Sequence, residues 1–250
     1  MVSQNEHGRI RIFEDFLGAE WPVAETADDS CNYGQFRVIG QGKEQTDSGI
    51  TGGETDPNLN GVVCLTTTDE AEHTCGLTTS KCLDVALMGP IVAECRLQFA
   101  DLDTKEFYFG LTDVNEDTAI LEGGNLHGAT TTFTLTASDL CGFHLSAELT
   151  EDEMWHCVYN GGTTTGATDS TDVESGVDAV AGEYNILRLE VDPNGTARWY
   201  IDGVLKQTVA GAVSTTTDLA LLCMVEAKTT SNEYGKVDYI ALNCNRDWTV

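Results

Sequence analysis

The segment from Asn185 to Thr208, NILRLEVDPNGTARWYIDGVLKQT, constrains the fold more than any other part of the chain. Apolar and polar residues alternate before Pro193-Asn194-Gly195, and they alternate again between that turn and Asp202-Gly203. Period-two alternation interrupted by Asn-Gly and Asp-Gly is the strongest short-range signal of a β-hairpin. The segment therefore predicts three consecutive antiparallel strands, and it requires a sheet large enough to include them.

Similar short strands recur along the chain. IVAECRLQF, residues 91–99, alternates apolar and polar residues, and EFYFGLTDV, residues 106–114, repeats the pattern after a loop of hairpin length. About a dozen such strands separated by turn residues predict an all-β sandwich or barrel. We interpret the meander as part of a two-sheet antiparallel sandwich. We expect the last two long strands, 219–227 and 236–244, to pair as a closing hairpin. Residues 1–8 are expected to form a loose N-terminal arm, and residues 9–250 a single β-sandwich domain.

The apolar strand faces also predict the core. We expect five residues to pack between the sheets: Phe99, Phe109, Leu189, Trp199 and Ile201. Among nine cysteines, Cys95 and Cys223 each continue an apolar strand face, so both are predicted to be buried, reduced thiols. The polar opening, MVSQNEHGRI, lacks the basic and apolar regions of a signal peptide, and we therefore expect folding in a reducing cytoplasm.

Acidic residues outnumber basic residues by 41 to 13, which gives a formal net charge of −28. Such a surface repels phosphate backbones, so nucleic-acid binding is not expected. The longest apolar run, residues 219–225, is too short to cross a membrane as a helix, so no membrane partner is expected either. High solubility, an outward position on a crowded assembly and life in high salt would each account for the charge.

Four stretches together resemble a known family: FEDFLGAEW near the start, ECRLQFADLDTKEFYFGLTD in the middle, LEVDPNGTARWYIDG later and KVDYIALN near the end. Their layout resembles the concanavalin A-like lectin/glucanase jelly roll. It is most similar to the versions found in structural proteins of tailed-phage virions, which include capsid decoration, cement and tail proteins.

The resemblance implies a non-enzymatic protein of the virion surface, made in the host cytoplasm, that docks on the major capsid protein or another virion protein and stabilises the shell. It also implies a homo-oligomer, which in this class would be a trimer. A carbohydrate-binding module of a tail or receptor-binding component is the alternative function. A glycan-cleaving enzyme is the third.

Catalytic motifs are not found in the sequence. Glucanases of this family carry two glutamates spaced E-x-D-x-(x)-E, which alternation places on one face of one strand. The nearest match, Glu190-Val191-Asp192, enters a turn before a second glutamate occurs. The histidines His127, His144 and His156 are scattered in the sequence, and no P-loop or nucleophile motif is present. The sequence therefore predicts no enzymatic activity and no bound cofactor other than a possible calcium ion.

Two sets of residues are candidates for binding. Asp113, Asn115 and Asp117 offer oxygen ligands at alternate positions after a strand, which is compatible with calcium, although the glycine and final glutamate of an EF-hand are missing. A polar hairpin loop is the competing interpretation. Near the end of the chain, Arg246 and Trp248 have the composition of an interface hot spot, and a frayed terminus is the competing interpretation.

Overall fold

The computed structural model describes residues 8–17, 31–33, 35–40, 49–51, 61–116, 121–247 and 249. The strands among these residues are β1 (Arg9–Glu14), β2 (Cys31–Tyr33), β3 (Phe36–Ile39), β4 (Gly49–Thr51), β5 (Val63–Thr66), β6 (Thr74–Thr78), β7 (Leu83–Asp84), β8 (Ile91–Gln98), β9 (Lys105–Thr112), β10 (Leu126–Ala129), β11 (Thr132–Leu135), β12 (Leu140–Ser146), β13 (Met154–Asn160), β14 (Glu174–Asp178), β15 (Tyr184–Val191), β16 (Ala197–Ile201), β17 (Val204–Val209), β18 (Asp218–Ala227) and β19 (Tyr234–Asn245). Helical structure is limited to α1 (Val85–Met88), a π-helical turn (Leu121–Asn125) and a 3-10 turn (Ser170–Asp172) in the described ranges. No described helix is long and apolar enough to cross a membrane.

Most of these strands form two antiparallel sheets. The first, which we call the eight-stranded sheet, has the order β17-β16-β15-β8-β19-β5-β4, and β1 also pairs with β19. The second, the nine-stranded sheet, has the order β14-β13-β12-β9-β18-β6-β3-β2, and β7 also pairs with β18. A separate hairpin consists of β10 and β11. The predicted two-sheet antiparallel sandwich is confirmed.

The meander predicted from residues 185–208 forms one edge of the eight-stranded sheet as β15, β16 and β17. Leu189 lies opposite Trp199 in the register of β15 and β16. The turn between β16 and β17 has positive φ angles at Asp202 (50°) and Gly203 (77°). A two-residue type I′ turn requires positive φ at both central positions, which is why Asp-Gly occurs here.

The main core lies between the two sheets. All five predicted core aromatic and aliphatic residues belong to it, and each is at most 2% exposed. The Trp199 indole N–H also donates a hydrogen bond to the Gly142 carbonyl at 2.8 Å, which links strands of opposite sheets. Cys95 and Cys223 are buried thiols without a disulfide, whereas Cys82 is an exposed one.

Two connections that the sequence predicted as hairpins instead cross from one sheet to the other. β8 pairs with β15 and β19, whereas β9 pairs with β12 and β18. The closing hairpin predicted from residues 219–227 and 236–244 is wrong, because β18 and β19 lie in different sheets. β18 is buried on both faces along nearly its whole length. A strand that is buried on both faces needs a layer of structure on each side. A terminal hairpin with one solvent-exposed face would not provide both layers.

The nine-stranded sheet has no wet face at its centre. β9 was expected to expose alternate residues, yet all eight of its residues are buried. Its outer face is covered by residues 121–137, which we call the cover and which include the π-helical turn, β10 and β11. A second hydrophobic core lies beneath the cover and includes Tyr108, Leu126, Phe133 and Met224. The cover therefore determines which side chains of this face are accessible.

Candidate functional site

The predicted calcium ligands lie in a loop at the end of the nine-stranded sheet. The Lys81 ammonium donates to the Asp113 carbonyl at 3.2 Å, and the Arg37 guanidinium donates to the Asn115 carbonyl. The Asn115 side chain is itself a donor, to the Thr79 carbonyl at 2.8 Å. Asp117 lies outside the described residues. The described part of the loop thus faces two cations, and the calcium site stays a prediction.

The predicted interface residues follow the last strand of the eight-stranded sheet. Arg246 is exposed, and its backbone N–H donates to the Gly8 carbonyl at 2.8 Å. This hydrogen bond ties the end of β19 to the start of β1. Trp248 lies outside the described residues, so the proposed hot spot also stays a prediction.

The cover and the strands beneath it bring together charged residues that are distant in sequence. We call this group the buried ionic cluster, and its members are Glu106, Glu122, His127, His144, Glu148, Glu226 and Lys228. The Lys228 ammonium lies at its centre, 2.9 to 3.5 Å from a carboxylate oxygen of each of the four glutamates. The Lys228 side chain is only 5% exposed, so these attractions are weakly screened by solvent.

A carboxylate pair forms the floor of this cluster. Glu106 on β9 and Glu226 on β18 are direct register partners, and both side chains are fully buried on the face beneath the cover. The sequence motif for an acid pair places both glutamates on one strand, so it does not detect Glu106 and Glu226, which lie on two strands. The only available sequence signal was the departure of each glutamate from an otherwise apolar strand.

The surroundings of the two carboxyl groups separate their pKa values. Burial by itself raises the pKa of Glu106, but its interactions with His144, His127 and Lys228 lower it well below its usual range. Burial and the charge of Glu106 raise the pKa of Glu226 to about 7. The neighbouring Glu106 carboxylate is also the main reason that the pKa of His127 is raised.

The same carboxylates hold the cover in place. Glu106 accepts a hydrogen bond from the Gly128 N–H at 3.1 Å and lies 2.6 Å from the His144 Nε2. Glu226 accepts from the Leu121 N–H at 2.6 Å. Buried charged acceptors of main-chain N–H groups form strong hydrogen bonds. The cluster therefore fastens both ends of the segment that precedes β11 to the sheet.

The three histidines that are separated in the sequence, His127, His144 and His156, lie close together in the structure. His144 and His156 are opposite each other on β12 and β13, and the Phe133 ring of the cover packs edge-on against both at 5.4 and 5.6 Å. Burial lowers the pKa of His156 to about 4, so this ring is neutral at physiological pH. His127, on β10, completes the group at the edge of the ionic cluster.

Two carboxyl groups with divergent pKa values are typical of active sites that use acid–base catalysis. Here, however, Glu106 and Glu226 are fully buried and hydrogen-bonded to the cover, so a glycan has no access to them. No group of three or more His, Cys, Asp or Glu residues within the described ranges is arranged to hold a metal ion. In this conformation the two carboxylates bind backbone N–H groups of the cover.

The outer face of the eight-stranded sheet is open to solvent and rich in tyrosine. We call it the outer tyrosine face, after Tyr184, Tyr200 and Tyr239. The Arg96 guanidinium stacks 3.9 Å from the centre of the Tyr184 ring, and the Tyr239 hydroxyl donates to Glu94 at 2.8 Å. These contacts hold flat rings and polar groups in fixed positions on a sheet.

A groove with a volume of about 390 Å³ crosses this face. Glu94, Arg188 and Tyr200 form one row across β8, β15 and β16 along its floor. Arg188 bonds to Glu190, and the Tyr200 hydroxyl donates to the other oxygen of Glu190 at 3.3 Å. The groove thus combines an aromatic ring with donors and acceptors, the elements of a small-molecule site.

No protein-family model matches the chain, and no curated protein matches its sequence. Solved structures are similar in fold. A protein of unknown function from Shewanella oneidensis has a TM-score of 0.57 at 10% identity, covering 100% of this chain and 92% of that one. A β-glucanase from Bacillus licheniformis has a TM-score of 0.54 at 14% identity, covering 93% and 97%. The carbohydrate recognition domain of Emp46p in its potassium-bound form has a TM-score of 0.51 at 12% identity, covering 89% and 98%.

These likenesses establish the fold. The predicted concanavalin A-like jelly-roll sandwich is confirmed, since the similar structures include a glucanase and a carbohydrate recognition domain of that architecture. One fold of this kind supports both enzymes and binding proteins, so function has to be argued from the site.

Proposed function

We propose that this chain is a non-enzymatic, glycan-binding jelly-roll protein that binds its ligand in the groove of the outer tyrosine face. The observation that carries the proposal is the row of Glu94, Arg188 and Tyr200 along an open groove. A tyrosine ring packs against the apolar C–H face of a sugar, while carboxylate and guanidinium groups bind the sugar hydroxyls. The proposal does not include catalysis, because Glu106 and Glu226, the carboxyl groups with divergent pKa values, are fully buried beneath the cover.

The net charge of the chain narrows the ligand class. A protein with a formal charge of −28 repels polyanionic glycans, so we propose a neutral oligosaccharide as ligand. Arg188 does not reverse this preference, because its guanidinium is already paired with Glu190.

A glycan array followed by titration calorimetry with the best ligand tests this function. Tyr200→Ala should lower the affinity at least about tenfold, equivalent to about 1.4 kcal/mol, whereas Tyr200→Phe should lose less because it keeps the ring. Leu87→Ala, an exposed change on α1 away from the groove, is the control and should bind like the wild type. Absence of binding to any neutral glycan, or unchanged affinity in Tyr200→Ala, would contradict the proposal. Release of reducing ends from a bound glycan would contradict its non-enzymatic part.

A second candidate is a decoration or cement protein of a tailed-phage virion. The four stretches that resemble such proteins support it, and so does the acidic surface, which suits the outside of a crowded particle. On this proposal the chain docks on the major capsid protein or another virion protein, as a homo-oligomer and most simply a trimer. Mutual repulsion between acidic copies means that docking needs specific contacts, for which Arg246 and Trp248 are the candidates.

Co-sedimentation with undecorated particles tests the second candidate. The full chain should sediment with the particles, and a chain that lacks residues 245–250 should bind more weakly. Deletion of residues 1–8 is the parallel variant at the other end of the chain. Equal binding by both deletion variants would move the contacts to the sandwich faces, and failure of the full chain to bind particles would rule this candidate out.

A further inference from the structure

A second cavity, with a volume of about 360 Å³, lies at one end of the nine-stranded sheet, remote in sequence from the groove of the outer tyrosine face. Its polar wall includes Arg37 from β3, the segment from Thr78 to Lys81 that follows β6, and Asn115 from the loop after β9. Thr79 and Asn115 are buried and hydrogen-bonded to each other, so part of the wall is rigid. The volume falls within the range of small-molecule sites.

Two cations line this cavity, and neither has a carboxylate partner among the residues that the structure describes. Within the described ranges, the side chains of Arg37 and Lys81 each make one hydrogen bond, and in both cases the acceptor is a backbone carbonyl. The two described lysines with buried side chains are paired with carboxylates: Lys105 contacts Asp101 and Glu233, and Lys228 contacts four glutamates. Because acidic residues outnumber basic ones by 41 to 13, two neighbouring cations without a described carboxylate partner need a physical explanation.

We propose that this cavity binds a small molecule through a single carboxylate group, with Arg37 and Lys81 as its charged donors. A guanidinium offers five N–H donors and an ammonium three, so both keep donors for a ligand after their bond to the loop. The planar guanidinium fork fits the two oxygens of a carboxylate. The hydroxyl of Ser80, an exposed residue on the same wall, is a further donor.

The net negative charge of the whole chain favours a ligand that carries only one negative charge. Repulsion by a net charge of −28 increases with each negative charge on the ligand, so a monoanion is favoured over phosphate or sulfate. A sugar acid and an N-acylated neutral amino acid share the required single carboxylate. The same two cations oppose calcium binding at the adjacent carbonyls of Asp113 and Asn115.

Titration followed by NMR at about 10 mM salt tests the site with D-galacturonate and N-acetyl-L-glutamine in parallel. At least one probe should saturate and shift the amide signals of Thr79, Ser80 and Asn115, and binding should weaken with added salt because the attraction is screened. Neutral glucose should leave these signals unchanged. The probe that binds more tightly identifies the source of the carboxylate.

Matched variants connect the binding to the two cations. Lys81→Gln, at an exposed position, should lower the affinity about tenfold, which corresponds to the loss of one charged hydrogen bond. Arg37→Gln should do the same, and Lys206→Gln, which removes one positive charge from β17, should not. No saturable binding of either probe, tighter binding of phosphate, or an equal effect of Lys206→Gln would overturn the site. Because the proposal does not involve the outer tyrosine face, its failure would leave the glycan-binding proposal untouched.

Discussion

The fold changes the protonation of Glu226 at neutral pH. Its pKa rises to about 7 because it is buried beside Glu106. The folded protein therefore binds this proton more tightly than the unfolded chain, in which a glutamate titrates near 4.5. By linkage, the stabilisation that the proton provides is complete below pH 4.5 and is lost as the pH rises through 7.

Glu226→Gln should remove this dependence. The amide carries no titrating proton and can still accept the hydrogen bond from Leu121. Relative to the wild type, its free energy of unfolding should therefore rise by about 2–3 kcal/mol between about pH 4.5 and pH 7.5. Urea unfolding at several pH values measures this difference. His127 and His156 are present in both proteins, so their titration cancels from the comparison. A difference that is constant with pH would contradict the assignment to Glu226.

Trp199 is the residue that links the two sheets most directly. It is fully buried in the main core, and its N–H donates to Gly142 on the opposite sheet. Trp199→Ala should lower the free energy of unfolding by about 3–5 kcal/mol, since it leaves a cavity and removes the hydrogen bond to the Gly142 carbonyl. Leu205→Ala, at an exposed position on the neighbouring β17, should cost about 0.5 kcal/mol or less. Denaturant unfolding that gives a loss below about 1 kcal/mol for Trp199→Ala would exclude the sandwich packing.

The cysteines provide an internal comparison of burial. Cys82 is exposed, whereas Cys95 and Cys223 are buried in the main core, where desolvation raises the pKa of both thiols. A thiol reagent added to the native protein should label Cys82 within minutes, and Cys95 and Cys223 only as fast as the protein unfolds. Peptide mass spectrometry over time distinguishes the sites. Equally rapid labelling of all three would contradict the assigned strand faces.

The cover is the element that distinguishes this sandwich from one with an open face. It buries the outer face of β9 and is fastened by hydrogen bonds from its backbone to Glu106 and Glu226. Lys228 neutralises part of the negative charge gathered at this point. The attachment of the cover therefore depends on one buried cation.

Lys228→Met should loosen the cover. The substitution leaves buried carboxylates without their cation, and breaking a buried ion pair in this way costs about 3–5 kcal/mol. Hydrogen exchange should accelerate at the amides of Leu121 and Gly128, whose acceptors become protonated or move. Lys236→Met removes a lysine outside the cluster. It should change neither the free energy of unfolding nor the exchange rates of these two amides appreciably. If the two amides exchange as slowly in Lys228→Met as in the wild type, the cluster does not hold the cover.

The whole molecule carries a large excess of negative charge on a folded chain of 27.0 kDa. Among the described residues, most carboxylates are at least partly exposed, where they repel one another and oppose the compact state. Increasing sodium chloride from about 10 mM to about 1 M shortens the Debye length from about 30 to about 3 Å. The melting temperature should therefore rise by several degrees, and potassium chloride should act like sodium chloride. Calorimetry that shows no change or a decrease would mean that attractive surface pairs dominate.

The sequence alone determined the strands, their inner faces and the main core. Alternate side chains of a strand point to opposite faces, so IVAECRLQF and the meander fix which residues are buried without knowledge of their partners. The turn residues Asp202 and Gly203 likewise define their hairpin locally. For this reason Phe99, Phe109 and Trp199 were placed correctly in the core.

Only the tertiary structure decided how the strands are paired between distant segments and which outer face is covered. The connection from β8 to β9 is short enough for a hairpin but crosses the sandwich, because strands from distant parts of the chain provide the neighbours of each. The pairing of Glu106 with Glu226, and the meeting of Arg37 with Lys81 at one cavity, depend on register between strands far apart in sequence. Local alternation carries no information about such register, because it specifies the direction of a side chain and not the residue opposite it.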